Sequence, residues 1–284
     1  MPELPEVETI RRQLNEVLVG KKILKIEVLR KSSFGGDPEK LTGCEISVIG
    51  RKAKVIEIFF KGIDQMVIIH LKMTGQLVYL NGGKRIAGGH PTADWVSRLP
   101  SPHTRVIFTF TDKSKLFFND MRAFGWVRMV NQKKYENEIR NTAPDVTEKE
   151  FNVEYLASVL SKTGRAVKLV LMDQEKIGGV GNIYANDALF LAQIMPDKKS
   201  SSLSHEEIEK LLVAIKEVIE KGIKYGGASA ADDKFVNAAG MGGKYQDHFL
   251  VYQRGGEKCN VCGGKIEKMR IGGRGTFYCP RCQK

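Results

Sequence analysis

The chain has 284 residues, enough for about two domains and for a core that needs no covalent staples. Hydrophobic residues make up 42% and charged residues 27%, which excludes wholesale disorder, and no apolar run reaches the roughly 18 residues of a spanning helix. Lys and Arg outnumber Asp and Glu by 45 to 33, and the resulting net charge of +12 points to a polyanionic partner.

Nucleic acid is the first candidate. An acidic membrane surface is disfavoured because no basic amphipathic helix with an aromatic face stands out. Met1-Pro2-Glu3 starts no export signal, so the chain is expected to be cytoplasmic and unanchored.

Residues 3–19 are predicted to be a helix: Val7, Ile10, Leu14, Val17 and Leu18 recur at helical spacing and Gly20 ends the run. From about 22 to 130 the pattern changes to short runs rich in Val, Ile and Phe, which predicts roughly eight strands in a β-sandwich or barrel. Runs at 23–29, 54–60, 66–71, 105–111 and 115–118 carry this reading. Cys44 lies in one apolar stretch and is expected to be a buried free thiol. Residues 83–102 fit no element.

Helical periods return after about 133. Gly179 and Gly181 precede a helix at 183–191, and close backbone approach at a helix N-terminus makes a phosphate site near Asn182. Ser204-His205-Glu206-Glu207 reads as a capping box, followed by a core stripe of Ile208, Leu211, Leu212, Ile215, Val218 and Ile219. Residues 226–244, rich in Gly and Ala, show no period and read as a loop.

Cys259-x-x-Cys262 and Cys279-x-x-Cys282 have the two-knuckle spacing of a structural site for one Zn2+. Two disulfides are the alternative, but an unexported chain stays reduced. Residues 253–284 hold eight Lys or Arg against two Glu, half of the excess charge, so the knuckle also suits phosphate contact.

Met1-Pro2-Glu3-Leu4-Pro5-Glu6-Val7-Glu8-Thr9 is the most informative stretch. Removal of Met1 would expose a secondary amine, which can attack an aldehyde-level carbon to give a charged iminium. With this string, the chain resembles the bacterial formamidopyrimidine-DNA glycosylases and the related endonuclease VIII-type enzymes. The likeness recurs at Arg51–Lys54, His70–Gly75, Asp120–Gly125, Gly179–Ala185 and Gly273–Cys279.

The resemblance implies an α+β multidomain protein: a catalytic N-terminal β-sandwich domain with an N-terminal helix (1–132), a helix–two-turns–helix DNA-binding domain (133–252) and a zinc-ribbon β-hairpin (253–284). It implies a bifunctional DNA glycosylase and abasic-site lyase that acts as a monomer on damaged double-stranded DNA. Oxidised purines such as 8-oxoguanine and formamidopyrimidines would be removed, with β,δ-elimination following. Pro2 would be the nucleophile, Glu3 the general acid that opens the sugar ring, and Lys54 the proton-transfer lysine. Arg274 would be the finger arginine at a phosphate. Met73, Arg122 and Phe124 match intercalating residues that fill the gap left by an everted base. Asn182, His70 and His103 match phosphate-contacting positions, His103 lying 19 residues before Arg122 as in the family.

Ala123 departs from the family, where a second basic residue often stands, and the charge around 161–165 is thinner than in some relatives. Three other readings stay open: a preference for oxidised pyrimidines, a non-catalytic damaged-DNA binder on the same scaffold, and an unrelated zinc-ribbon RNA- or ribosome-associated protein. The last leaves the amino terminus unexplained.

Overall fold

Pro5 sits in the first turn of helix α1 (Leu4–Leu18), where its missing N–H has no intrahelical partner to lose. The buried stripe Val7, Ile10, Leu14 and Leu18 then faces the same apolar cluster that fills the sandwich behind it. The computed structural model describes residues 1–140, 143–228 and 243–284. It forms two compact units, one of residues 1–141 with 225–246 and one of 142–224 with 247–284.

In the first unit, ten strands occur among the described residues: β1 (Ile23–Val28), β2 (Phe34–Gly35), β3 (Ile46–Lys52), β4 (Val55–Phe60), β5 (Gln65–His70), β6 (Gly75–Asn81), β7 (Lys84–Gly89), β8 (Thr104–Phe110), β9 (Lys115–Asp120) and β10 (Trp126–Asn131). They make two five-stranded sheets, in the orders β1-β8-β9-β6-β7 and β2-β10-β5-β4-β3. All pairings are antiparallel except β2 with β10. Between the sheets lie Ile56, Ile58, Val67 and Ile69 from one side and Leu77, Tyr79, Val106, Phe108 and Phe118 from the other.

Ten strands rather than eight reflects two edges that the hydrophobic pattern does not mark. β2 is two residues long, and β7 contains Gly88 and Gly89 in place of β-formers. Residues 83–102, which fit no element by pattern, form β7 and a cover for the first sheet. Trp95 packs on Val78, Ala87, Ile107 and Phe117 there, and the Arg85 guanidinium donates to the Trp95 and Ser97 carbonyls at 2.8 and 2.7 Å. A cover of this kind has no period because side-chain contacts and a guanidinium shape it, not a ladder. The short helix α2 (Gln132–Tyr135) supplies Tyr135 over Val55, Met66, Ile68 and Val130 on the other sheet. Cys44 is half-buried rather than buried: it flanks the core but turns its sulfur toward the Lys40 carbonyl at 3.6 Å.

The second unit holds α3 (Val153–Ser161), α4 (Val167–Leu171), α5 (Asn182–Leu191), α6 (His205–Lys224) and the hairpin β11 (Glu267–Ile271) with β12 (Arg274–Tyr278). The capping box is present: Ser204 N–H donates to Glu207 Oε2 at 2.9 Å, and Glu207 N–H donates back to Ser204 Oγ at 3.2 Å. Ile208, Leu211, Ile215, Val218 and Ile219 are buried as the stripe predicts, while Leu212 is half-buried at its border. Phe190 of α5 packs with Val251, Ile266 and Phe277, so the hairpin shares a core with the helices.

Candidate active site

Glu3 is the N-cap of α1, and both Pro2 and Glu3 are buried. The Glu6 carboxylate takes the Glu3 N–H at 2.7 Å with one oxygen and the Ala228 N–H at 2.7 Å with the other. That second bond ties the helix start to the base of the glycine-rich loop. The loop's two described arms meet in an Ala228–Lys244 bridge; its residues 229–242 lie outside the described residues.

Lys54 is also buried, on the turn between β3 and β4. An ion cluster fixes that turn against α1. Glu8 accepts from Arg11 at 2.9 and 3.0 Å, from Arg12 at 2.7 Å and from Arg51 at 3.1 Å, while Arg51 also donates to the Ala53 carbonyl at 2.9 Å. Burial would raise the Glu8 pKa, but the Arg11 and Arg12 hydrogen bonds and the Arg51 charge outweigh it and hold the carboxyl at about 2. The chain Glu8–Arg51–Ala53 thus ties the turn that carries Lys54 to α1, the helix capped by Glu3.

His70 pairs with Val55 across the sheet, which puts it at the Lys54 end of β4. Its ring lies 5.6 Å from that of Trp126, and its Nδ1 accepts the Lys72 N–H at 2.9 Å. Burial first, then the charges of Lys72 and Lys54, push its pKa down to about 3. His103 is half-exposed, with Nδ1 3.0 Å from Asp94 Oδ2.

Met73 and Phe124 are 37% and 54% exposed, so neither is the core residue that its apolar character would suggest. The exposed Arg122 guanidinium sits 4.7 Å over the Phe124 ring. All three are exposed on the loops after β5 and β9. Ala123 between the last two has φ +54°, a left-handed turn.

In the second unit, Asn182 opens α5 behind the N-cap Gly181, and its Nδ2 donates to the Gly275 carbonyl at 3.2 Å. Arg274 is exposed, one residue earlier on the hairpin, after the tight turn Gly272-Gly273 with φ +56° and +76°. Asn182 is thus bonded to the backbone of the residue that follows Arg274. Lys168 accompanies them: fully buried, it donates from Nζ to Gly275 O at 3.0 Å and Thr276 Oγ1 at 2.7 Å.

Sequence reasoning missed Lys168, although a lysine inside Val167-Lys168-Leu169-Val170-Leu171 was its signal. It also missed Asp187, whose buried carboxylate accepts the Leu250, Val251 and Tyr252 N–H groups at 3.1–3.2 Å. Asn186 beside it accepts the Phe277 N–H at 2.7 Å.

The sulfur atoms of Cys259, Cys262, Cys279 and Cys282 lie within 4.8 Å of one another. Two of the pairs, Cys262–Cys279 at 3.5 Å and Cys259–Cys282 at 3.8 Å, match the edge of about 3.8 Å in a ZnS4 tetrahedron with 2.3 Å bonds, and are far from a 2.05 Å disulfide. Val261 and Gly264 N–H groups point at Cys259 and Cys262 sulfurs at 3.5 and 3.4 Å, as thiolates require. The cage fits one structural Zn2+, which would clip the two knuckles together.

Three family models match the chain: the formamidopyrimidine-DNA glycosylase N-terminal domain over residues 1–127, the formamidopyrimidine-DNA glycosylase H2TH domain over 142–234, and the zinc finger found in FPG and IleRS over 256–284. A formamidopyrimidine-DNA glycosylase of Pelotomaculum thermopropionicum is 37% identical, covering 100% of this chain and 99% of that protein. One of Listeria innocua is 34% identical over the whole of both. Among solved structures, Lactococcus lactis Fpg in complex with DNA containing an abasic site is similar at a TM-score of 0.85 and 31% identity, covering 100% of both chains. The same enzyme with Fapy-dG-containing DNA is similar at 0.84 and 31%, covering 99% of this chain and 100% of that one. By its three matched segments and its full-length likeness to these relatives, the chain belongs to the formamidopyrimidine-DNA glycosylase family.

Proposed function

We propose that this protein is a base-excision-repair DNA glycosylase with abasic-site lyase activity, acting as a monomer on damaged double-stranded DNA. Its substrates are oxidised purines, 8-oxoguanine and formamidopyrimidines. One observation carries the reading: Pro2 and Glu3 are buried at the head of α1, and the Glu8–Arg51–Ala53 chain ties the turn that carries buried Lys54 to that helix. A nucleophile, a proton donor and a cation on one rigid frame are what sugar-ring opening and elimination need.

Removal of Met1 leaves Pro2 with a secondary amine. Its nitrogen bonds to the sugar C1′ as the bond to the damaged base breaks and the base leaves. Glu3 protonates the ring oxygen, and the sugar opens to a charged iminium. That iminium draws electrons as Lys54 moves the proton for β-elimination of the 3′ phosphate, and δ-elimination then releases the 5′ phosphate. Arg274 and Asn182 hold a phosphate at the Gly275 corner, while His70 and His103 supply further phosphate contacts. Met73, Arg122 and Phe124 fill the space of the everted base; eversion is required because a stacked base is out of reach.

The division into 1–132, 133–252 and 253–284 follows the same assignment: chemistry, phosphate grip, and finger. No described helix is long and apolar enough to cross a membrane, and we place the enzyme in the cytoplasm and, when bound to DNA, on the nucleoid.

Borohydride trapping on a duplex with one 8-oxoguanine opposite C tests the assignment. Native protein is compared with a form carrying an uncleavable extension ahead of Pro2. A covalent adduct with native protein alone is expected. Adducts with both forms would make a lysine the nucleophile. No adduct, despite duplex binding and a processed terminus, would overturn the lesion assignment, and thymine glycol opposite A would then test the pyrimidine preference.

A further inference from the structure

We propose that Thr74 and Asp120 form a lock that holds the Met73 loop and the Arg122–Phe124 loop as one preset wedge, an inference that rests on the gap-filling role given above to those side chains. The two loops are sheet-to-sheet crossovers running side by side. One leads from β5 into β6 and the other from β9 into β10. Cross-strand pairs fix them at both ends: Trp126 opposite His70, and Gly75 opposite Asp120. Each has a left-handed residue that is not glycine, Lys72 at φ +49° and Ala123 at φ +54°. Such a conformation persists where the surroundings over-determine it.

Those surroundings converge on one carboxylate. Asp120 is fully buried. Its Oδ1 accepts the Thr74 hydroxyl and the Arg122 N–H at 3.2 Å, and its Oδ2 accepts the Gly125 N–H at 2.6 Å. Thr74 Oγ1 in turn accepts the Arg122 N–H at 3.0 Å, so one amide is shared between the two loops. The Asp120 main chain is held as well, its N–H by the His103 carbonyl at 2.8 Å and its carbonyl by Arg105 Nε at 2.9 Å. At position 125, any Cβ would lie 2.9 Å from the Phe118 ring and 3.0 Å from the His70 carbonyl, so glycine lets the crossovers close on each other.

The consequence is an exposed Met73 and an Arg122–Phe124 stack that cannot fold back into the core. A wedge ordered before contact loses little conformational freedom when it enters a duplex. Thr74 and Asp120 are positioning residues: they touch the loops and act through the three side chains.

The test compares Thr74→Val, which keeps the shape and deletes the hydroxyl, with Thr74→Ser, which keeps the hydroxyl. The first readout is amide hydrogen exchange at Arg122 and Gly125 in the DNA-free protein. The second is the ratio of 8-oxoguanine excision from duplex to cleavage of a single-stranded abasic oligonucleotide, which has no stack to open. Both amides are expected to be protected in the wild type and the Ser variant and to exchange at least about tenfold faster in the Val variant. The activity ratio should fall at least about tenfold in the Val variant, and the Ser variant should recover most of it. Unprotected amides in the wild type would overturn the lock. So would a Val variant with a wild-type ratio, or one whose two activities fall in step. Protected amides in a wild type that cuts neither DNA would overturn the glycosylase reading and leave the lock standing on its exchange data.

Discussion

His70 ends strand β5 with its ring against Trp126 and its Nδ1 occupied by the Lys72 N–H, so the neutral ring carries its proton on Nε2. A folded-state pKa of about 3 lies well below the ordinary 6.5, so the unfolded chain takes up this proton first. The stability contributed by the neutral ring is whole above pH 6.5 and is lost as pH falls from 6.5 toward 3, at no more than about 1.4 kcal/mol per pH unit. Glu8 acts in a lower window. Its carboxyl is held at about 2, so its contribution is whole above pH 4.5 and drains below that. Between pH 6.5 and 4.5 the loss therefore belongs to His70, of these two groups. His70→Gln should flatten the urea-unfolding midpoint across that window and leave, below pH 4.5, the part of the decline that Glu8 carries. An unchanged slope between 6.5 and 4.5 would mean that the ring is protonated in the folded protein.

At the scale of elements, the hairpin β11–β12 depends on polar clamps from the helices as much as on its cysteines. Lys168 holds Gly275 O and Thr276 Oγ1, Asn186 holds the Phe277 N–H, and Asp187 holds the approach at 250–252. Lys168→Met keeps the length of the side chain and deletes the donor, leaving a buried hydroxyl short of a partner at a cost of about 1–3 kcal/mol. Zinc release to a chromogenic chelator should accelerate in this variant, while amide exchange in the sandwich strands stays as in the wild type. Equal release rates would show that the cysteine cage alone holds the hairpin.

The uneven legibility of these elements has a physical cause. Strands β4 and β5, helix α1 and the capped α6 were readable because periodicity reports burial on a regular element. The cysteine spacing was readable because metal geometry constrains it. The cover at 91–102, Thr74 with Asp120, and the buried clamps Lys168 and Asp187 were not. Each works through partners 46 to 108 positions away or through irregular backbone, and no local pattern records that. Site residues became legible through resemblance: Met73 and Phe124, read by character alone, belong in a core, yet both are exposed.

At the scale of the whole molecule, the net charge of +12 makes salt the sharpest probe of how DNA is held. Neutralising about five phosphates would give a slope of roughly −4.5 in log K against log salt concentration, since each contact releases about 0.9 counterion. The cationic and neutral contacts proposed here then separate by slope rather than by affinity. Arg274→Ala deletes an exposed guanidinium and should lower the slope by about 0.9 along with the affinity. His70 at pH 7.5 is a neutral donor, because burial and the charges of Lys72 and Lys54 hold its pKa at about 3. His70→Gln should therefore weaken binding while the slope stays at its wild-type value. Fluorescence titrations of a lesion-containing duplex between about 50 and 200 mM salt decide the matter. A slope reduced by about 0.9 in the His70 variant would mean that DNA binding protonates the ring, with the phosphate supplying the charge that offsets its burial. In that case the affinity of the wild type, but not of the variant, would rise as pH falls from 7.5 to 6.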